Sequence, residues 1–222
     1  MCVTWVATWV SAGMAHAEPM RLRVGVPEGM PGYALRNGQL LIDSEPKRQL
    51  YQCVEKALGA RFVWEALPAR RVVQGVAEGP LDLAFPLGFN EERAARMLQS
   101  EPAWENPDVW VSLKAIDAQD KRLRLAARLG SPQHDDHHAM GYARVAGVFS
   151  YEELPRMLSQ GMVDAVILPR SLYEDMKSAW PSGHRLLEGK PRSSGFYLPK
   201  PDPRQLAAPL NQAIRRCRAA QG

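Results

Sequence analysis

The sequence predicts an α/β fold in two similar halves, and three observations carry that prediction. Strand-like and helix-like patterns alternate with short connections, which argues for mostly parallel sheets with helices on their faces. The alternation runs once through the first half of the chain and again through the second. The composition, 45% apolar and 23% charged over 222 residues, is that of a globular chain long enough to bury a sizeable core. It argues against disorder, collagen-like repetition and a polytopic membrane protein.

The elements follow in order. Arg21 to Pro27 alternates polar and apolar residues and stops at Pro27 and Gly29, as a strand running into a loop does. That loop is rich in Gly and Pro and extends through Asn37 and Gly38. Between Pro46 and Leu58, Leu50, Cys53, Val54, Ala57 and Leu58 fall on one helix face, and Gly59 is a natural stop. Arg61 to Glu65 reads as a second strand, Ala69 to Glu78 as a helix ended by Gly79, and Leu81 to Phe85 as a third strand. Asn90 is placed to cap a helix that has Glu91 and Glu92 in its first turn, where the helix dipole favours carboxylates. Val109 to Leu113 is an apolar strand.

The second half repeats the plan. Leu123 to Leu129 is a strand, Ser131 to Met140 a short helix, and Arg144 to Phe149 a strand. Ser150 and Glu153 form the capping box of a helix to Leu158. Val163 to Leu168 is a buried strand, Ser171 to Trp180 a helix, and Gly195 to Leu198 a strand. A last helix runs from Asp202 to Ala220, with Asp202 as cap and Pro203 at its first position. Two α/β halves with a ligand cleft between them are the architecture this order favours.

Charge and cysteines bound the function further. The net charge is +4, the basic residues are scattered, and no aromatic-basic stripe appears, so nucleic acid is not an expected partner. Residues 1–17 carry no Lys, Arg, Asp or Glu and end in Ala15, His16 and Ala17, the small-x-small pattern that a signal peptidase reads. Cleavage after Ala17 is expected, although the usual positive start is missing; a helix or strand of the mature fold is the alternative. The apolar stretch is too short to span a bilayer. Cys53 and Cys217 remain after cleavage, as a disulfide or as two buried free thiols.

A series of short motifs then carries a resemblance. Leu22 to Val26 (LRVGV), Tyr33, Asn37-Gly38, Leu58 to Ala60 (LGA), Gly79 to Asp82 (GPLD), Asn90 to Arg93 (NEER) and Ser100 to Pro102 (SEP) come in order. Leu129 to Ser131 (LGS), Ser150 to Glu153 (SYEE), Gly161 to Ile167 (GMVDAVI) and Leu210 to Ile214 (LNQAI) continue the series. Together they resemble the bacterial extracellular solute-binding protein family 3, over essentially all of residues 20–218. The resemblance implies the two-lobed type II periplasmic binding protein fold, each lobe a mostly parallel sheet flanked by helices, joined by two hinge strands. It implies lobe 1 from residues 18–112 plus 192–222 and lobe 2 from 113–191, with hinge strands at Val111 to Ala115 and Lys190 to Ser194. The last helix would then return to lobe 1, which favours a Cys53–Cys217 disulfide.

The implied function is capture of a small anionic or zwitterionic solute, an amino acid or related carboxylate, in the periplasm for an ABC-type permease or a sensor. A monomer is expected, with no cofactor. Arg93 matches the arginine that holds the substrate carboxylate in a bidentate geometry that Lys does not supply. Its alternative is a surface cation beside Glu91 and Glu92. Tyr33 matches the stacking aromatic, and Ser131 the loop hydroxyl that donates to the ligand. Gly88, through its backbone N–H, Arg71 and Trp110 complete the candidate ligand-binding set, with Arg70 and Arg170 as further cations. Departures are Pro86 and Gly88 in place of hydroxyl-bearing residues, Ala69 in place of an aromatic, Pro132, and Pro169 where many members carry the ammonium-accepting Asp. The carboxylate thus has a partner in the sequence and the ammonium has none in view.

Two other readings were weighed. His134 and His138, four apart with Asp135 and Asp136 between them, are weak candidates for a divalent metal and better suit a solvated helix face. The same fold hosts periplasmic lyases, for which Glu28, Glu101 and Asp108 are the carboxylates in loops, but nothing pairs them as acid and base. No nucleotide-binding glycine motif, HExxH or GxSxG is present. The expectation is therefore a binding protein, with a small lyase or a binding-dead interaction module as alternatives.

Overall fold

The computed structural model of the chain describes residues 18–221. The expected leader, residues 1–17, lies outside them. The first lobe is built on β1 (Met20–Pro27), which lies between β4 (Ala60–Leu67) and β5 (Leu83–Gly88) and runs parallel to both. α1 (Glu45–Ala57) covers one face of this sheet through Leu50 and Val54, and α2 (Ala69–Ala77) covers the other through Val72 and Val76. The strands therefore read as apolar runs because both of their faces are covered. β13 (Ser193–Pro199) joins antiparallel to β5, and β6 (Met97–Gln99) and β7 (Trp104–Glu105) pair with β13 in turn. The sheet order is β4-β1-β5-β13-β6.

The second lobe has the order β10-β9-β11-β8-β12. β9 (Arg124–Arg128) lies between β10 (Arg144–Val148) and β11 (Ala165–Pro169) and is parallel to both. β8 (Asp108–Ser112) runs antiparallel to β11, and β12 (Arg185–Glu188) forms an edge on β8. Helices α4 (Pro132–Ala139), α5 (Glu153–Ser159) and α6 (Arg170–Asp175), with a 3-10 turn at Lys177–Ala179, flank the sheet. α7 (Ala207–Ala219) returns to lobe 1, and Cys217 on it bonds Cys53 on α1 with Cα atoms 5.8 Å apart. No described helix is long and apolar enough to cross a membrane.

Several details differ from the sequence expectation. The Gly/Pro-rich loop contains a hairpin, β2 (Tyr33–Arg36) with β3 (Gln39–Ile42). Asn37 and Gly38 form its two-residue turn at φ 50° and 74°, the conformation for which Asn-Gly is favoured. The last helix starts at Ala207 instead of Asp202, because Asp202 Oδ2 accepts from Ala207 N at 2.7 Å across an intervening turn. Pro203 sits in that turn.

The expected boundary at residue 112 and hinge strand at Val111 to Ala115 are also corrected. β8 pairs with β11 and β12, so it belongs wholly to lobe 2, and the first crossing lies between Glu105 and Asp108. An apolar strand ahead of a polar stretch looks like the end of a domain in sequence, and only its pairing partners assign it. The return crossing lies at Gly189 to Arg192, with Ser193 and Ser194 already in β13. The two crossings hold each other through Asn106 N to Arg192 O at 2.7 Å and Asp108 N to Lys190 O at 2.9 Å.

Candidate functional site

Parallel α/β sheets place their ligands at the carboxyl ends of the strands. Here β1 and β5 of lobe 1 and β9 and β11 of lobe 2 end at one interlobe cavity of about 160 Å³. Lobe 1 lines it with Met30, Tyr33, Gly88, Arg93 and Trp104, and lobe 2 with Arg128, Ser131, Gln133, Tyr151 and Leu172. The wall is largely aromatic and aliphatic, with a few polar groups among them, as small-ligand sites require.

Arg93 stands on the short helix α3 (Glu91–Arg96), whose cap Asn90 accepts from Arg93 N at 2.9 Å. Its side chain is buried, and the guanidinium donates to Gly88 O and to Gly130 O, each at 2.7 Å. One carbonyl comes from each lobe. Gly130 turns its carbonyl inward at φ 70°, a conformation that suits glycine. Burial draws the Arg93 pKa below its ordinary value, yet among the described residues it makes no ion pair.

Arg128, at the end of β9, is buried as deeply. It donates through Nη2 to Glu28 O of lobe 1 and lies 5.5 Å from the ring centre of Tyr151, while its Nε is buried without a partner. Gln133 is 1% exposed and donates through Nε2 to Asp108 Oδ1 at 2.5 Å. An ionised carboxylate only accepts, so the amide nitrogen must face it, and Oε1 is left buried without a donor. Ser131 caps α4, its hydroxyl accepting from His134 N at 3.2 Å, which leaves its own proton free to donate. Burial, with Asp175 nearby, raises the Tyr33 phenol well above its ordinary pKa and keeps it neutral. Arg192 also lines the cavity but is neutralised by Asp108 at 2.9 Å and Asp136 at 3.0 Å. Lys47 of lobe 1 meets Asp175 of lobe 2 at 3.1 Å.

Tyr33, Gly88, Arg93 and Ser131 thus come together as the sequence suggested. Arg71 and Trp110 do not. Arg71 lines a shallow surface groove with Pro68 and Leu81. Trp110 shares a face of the second sheet with Ile167, away from the cavity, and packs edge-on to His137 with ring centres 5.0 Å apart. Arg70 lies against Gly130 outside the cavity wall, and Arg170 pairs with Glu188. His134 and His138 meet edge-on with ring centres 4.7 Å apart, and no group of three metal-ligating side chains occurs among the described residues. Of the carboxylates, Glu101 pairs with Arg215 and Asp108 with Arg192, while Glu28 is exposed. Sequence reasoning missed Arg128, Gln133, Tyr151 and Trp104. Arg128 had a signal, a cation closing the apolar run Leu125 to Ala127, because a charge in a buried strand is rarely without purpose.

Compared by sequence, no family model and no curated protein matches the chain. Compared by structure, it is similar to an ABC uptake transporter substrate-binding protein from Streptococcus pneumoniae with bound histidine, at TM-score 0.73 and 16% identity over 88% of this chain and 86% of that one. It is similar to the AvGluR1 ligand-binding domain in complex with glutamate, at TM-score 0.74 and 19% identity over 91% of both. It is also similar to an ancestral arginine-binding protein bound to glutamine, at TM-score 0.68 and 20% identity over 90% and 92%. With two sheets of matching plan, two crossings and a cavity between them, the chain has the two-lobed fold of the type II periplasmic binding proteins.

Proposed function

We propose that the chain is an exported solute-binding protein that closes its two lobes over a small anionic or zwitterionic solute. The observation that carries this reading is Arg93, buried in the interlobe cavity with carbonyl partners from both lobes and no carboxylate partner. A ligand carboxylate that accepts from its guanidinium supplies the missing countercharge and does so in two parallel hydrogen bonds. Tyr33, Trp104 and Tyr151 give the apolar wall, the Ser131 hydroxyl a further donor, and Gln133 Oε1 an acceptor for an ammonium. This acceptor fills the role that Pro169 leaves vacant. The structural neighbours carry histidine, glutamate or glutamine, which fits a cavity of this size.

Closure about the two crossings is the motion such a fold makes on binding. In this reading the leader ends at Ala17, the mature chain works in the periplasm as a monomer, and the closed form is delivered to an ABC permease or a sensor. Calorimetric titration of the mature chain with a panel of amino acids and organic acids tests the reading. Arg93→Ala is expected to weaken binding at least tenfold, about 1.4 kcal/mol or more. Wild-type affinity in that variant would refute the role of Arg93.

A further inference from the structure

The cavity holds more positive charge than one carboxylate answers. Among its lining cations, Lys47 is paired with Asp175 and Arg192 with both Asp108 and Asp136. Arg93 and Arg128 are buried to a similar depth and make no ion pair among the described residues; their hydrogen bonds go to the neutral carbonyls of Gly88, Gly130 and Glu28. The lining carboxylate Glu105 is solvent-exposed and accepts from the Ser193 hydroxyl at 2.9 Å. Tyr33 and Tyr151 stay protonated through burial and add no negative charge. A buried charge without a countercharge is costly, and two in one small cavity are more so.

The two arginines also divide between the lobes. Arg93 is carried by lobe 1 and Arg128 by β9 of lobe 2, and the buried Nε of Arg128 has no acceptor among the described residues. A guanidinium has five N–H donors, so both retain capacity for a ligand. We infer that the ligand of this cavity is a dianion, a small dicarboxylate whose two carboxylates engage Arg93 from lobe 1 and Arg128 from lobe 2. The cavity of about 160 Å³ sets its size; an engineered cavity of about 150 Å³ holds benzene, so a skeleton of about four to six carbons fits. The ligand then ties the lobes together by charge at both ends. This inference rests on the solute-binding reading above and narrows it.

The test is calorimetric titration of the mature, disulfide-bonded chain with glutamate, aspartate, glutarate and succinate, against glutamine and asparagine, and against inorganic phosphate. The dicarboxylates are expected to bind at least tenfold more tightly than their amide counterparts. Arg128→Gln is expected to weaken glutamate binding at least tenfold while changing glutamine binding less than threefold. Equal affinity of the wild-type chain for glutamate and glutamine overturns the inference and leaves the solute-binding reading standing, as does an Arg128→Gln protein that keeps the preference. Binding of phosphate with no response to any dicarboxylate overturns the carboxylate assignment. Silence to the whole panel from a folded protein overturns both. If Arg128→Gln fails to fold, the wild-type ratio of glutamate to glutamine affinity decides alone.

Discussion

Lobe 1 is assembled from two stretches of chain that are far apart in sequence, whereas lobe 2 is one continuous run from β8 to β12. Lobe 1 joins them with an antiparallel strand, β13, between β5 and β6 of its sheet, and with a disulfide between α1 and α7. In its core Phe85 stacks on Phe196 at 4.2 Å, and Tyr51 meets Trp64 edge-on at 5.4 Å. Lobe 2 has no disulfide among the described residues, and its core packs Leu154, Leu158, Val166 and Leu168 with Tyr151, Tyr173 and Trp180. The same architecture is thus tied by a covalent link on one side and held by non-covalent contacts on the other. The difference teaches where each lobe is vulnerable, and four experiments can break or sharpen it.

The largest effect is expected from Cys53→Ala with Cys217→Ala. The bond closes a loop with a sequence separation of 164 residues, and losing such a link costs about 2–5 kcal/mol. Urea unfolding measures the loss. Hydrogen exchange should show it in α1 and α7 while the amides of lobe 2 stay protected; equal losses in both lobes would break the comparison. Next, Leu154→Ala empties a fully buried position of lobe 2 and should cost about 3 kcal/mol. Its exchange pattern should be the reverse, with lobe 1 left protected.

A smaller effect is expected from Lys47→Ala, which removes the ion pair between the lobes. Both partners are under a third exposed, and the loss should be about 1 kcal/mol or less. The readout is faster ligand release and a larger radius of gyration in solution scattering, with each lobe unchanged; an unchanged release rate would show that the pair does not hold the cleft shut. The smallest effect concerns pH. Burial holds the pKa of His137 below its ordinary value, against the opposing pull of the Gln133 carbonyl, Asp108 and Asp136 and with Arg192 adding to the depression. The unfolded chain therefore protonates this residue first as pH falls. The stability that the neutral ring contributes is complete above about pH 6.5 and fades below it, towards the depressed folded value. His137→Gln should flatten this dependence in lobe 2. If the slope persists in that variant, another group causes it.

Much of the fold was legible because strand and helix periodicity reports on covered faces, and both lobes cover theirs. The short strands β6, β7 and β12 were not, since two to four residues carry no period. The β2–β3 hairpin was passed over although Asn37-Gly38 is the strongest signal a two-residue turn gives. Half of the candidate site, Arg93, Tyr33, Ser131 and Gly88, followed from the short motifs that carry the resemblance, because each keeps its place within or beside a run of matching residues. Arg128 and Gln133 could not be placed so, because they become site residues only through contacts with Glu28 and Asp108, 100 and 25 positions away. Trp110 misled for the opposite reason. Alternation along β8 assigns it a face, and the sequence does not say which face looks toward the cavity.

The split construction of lobe 1 also bears on biosynthesis. A chain made from its N-terminus at about 5–20 residues per second presents the strands of lobe 2, β8 to β12, complete before β13 and α7 exist. Lobe 1, though begun first, waits for its interior antiparallel strand β13 and for Cys217. The order of completion inverts the order of synthesis, and the N-terminal hundred residues remain an unfinished half-sheet until the last thirty arrive. A segment held open in this way stays a substrate for chaperones.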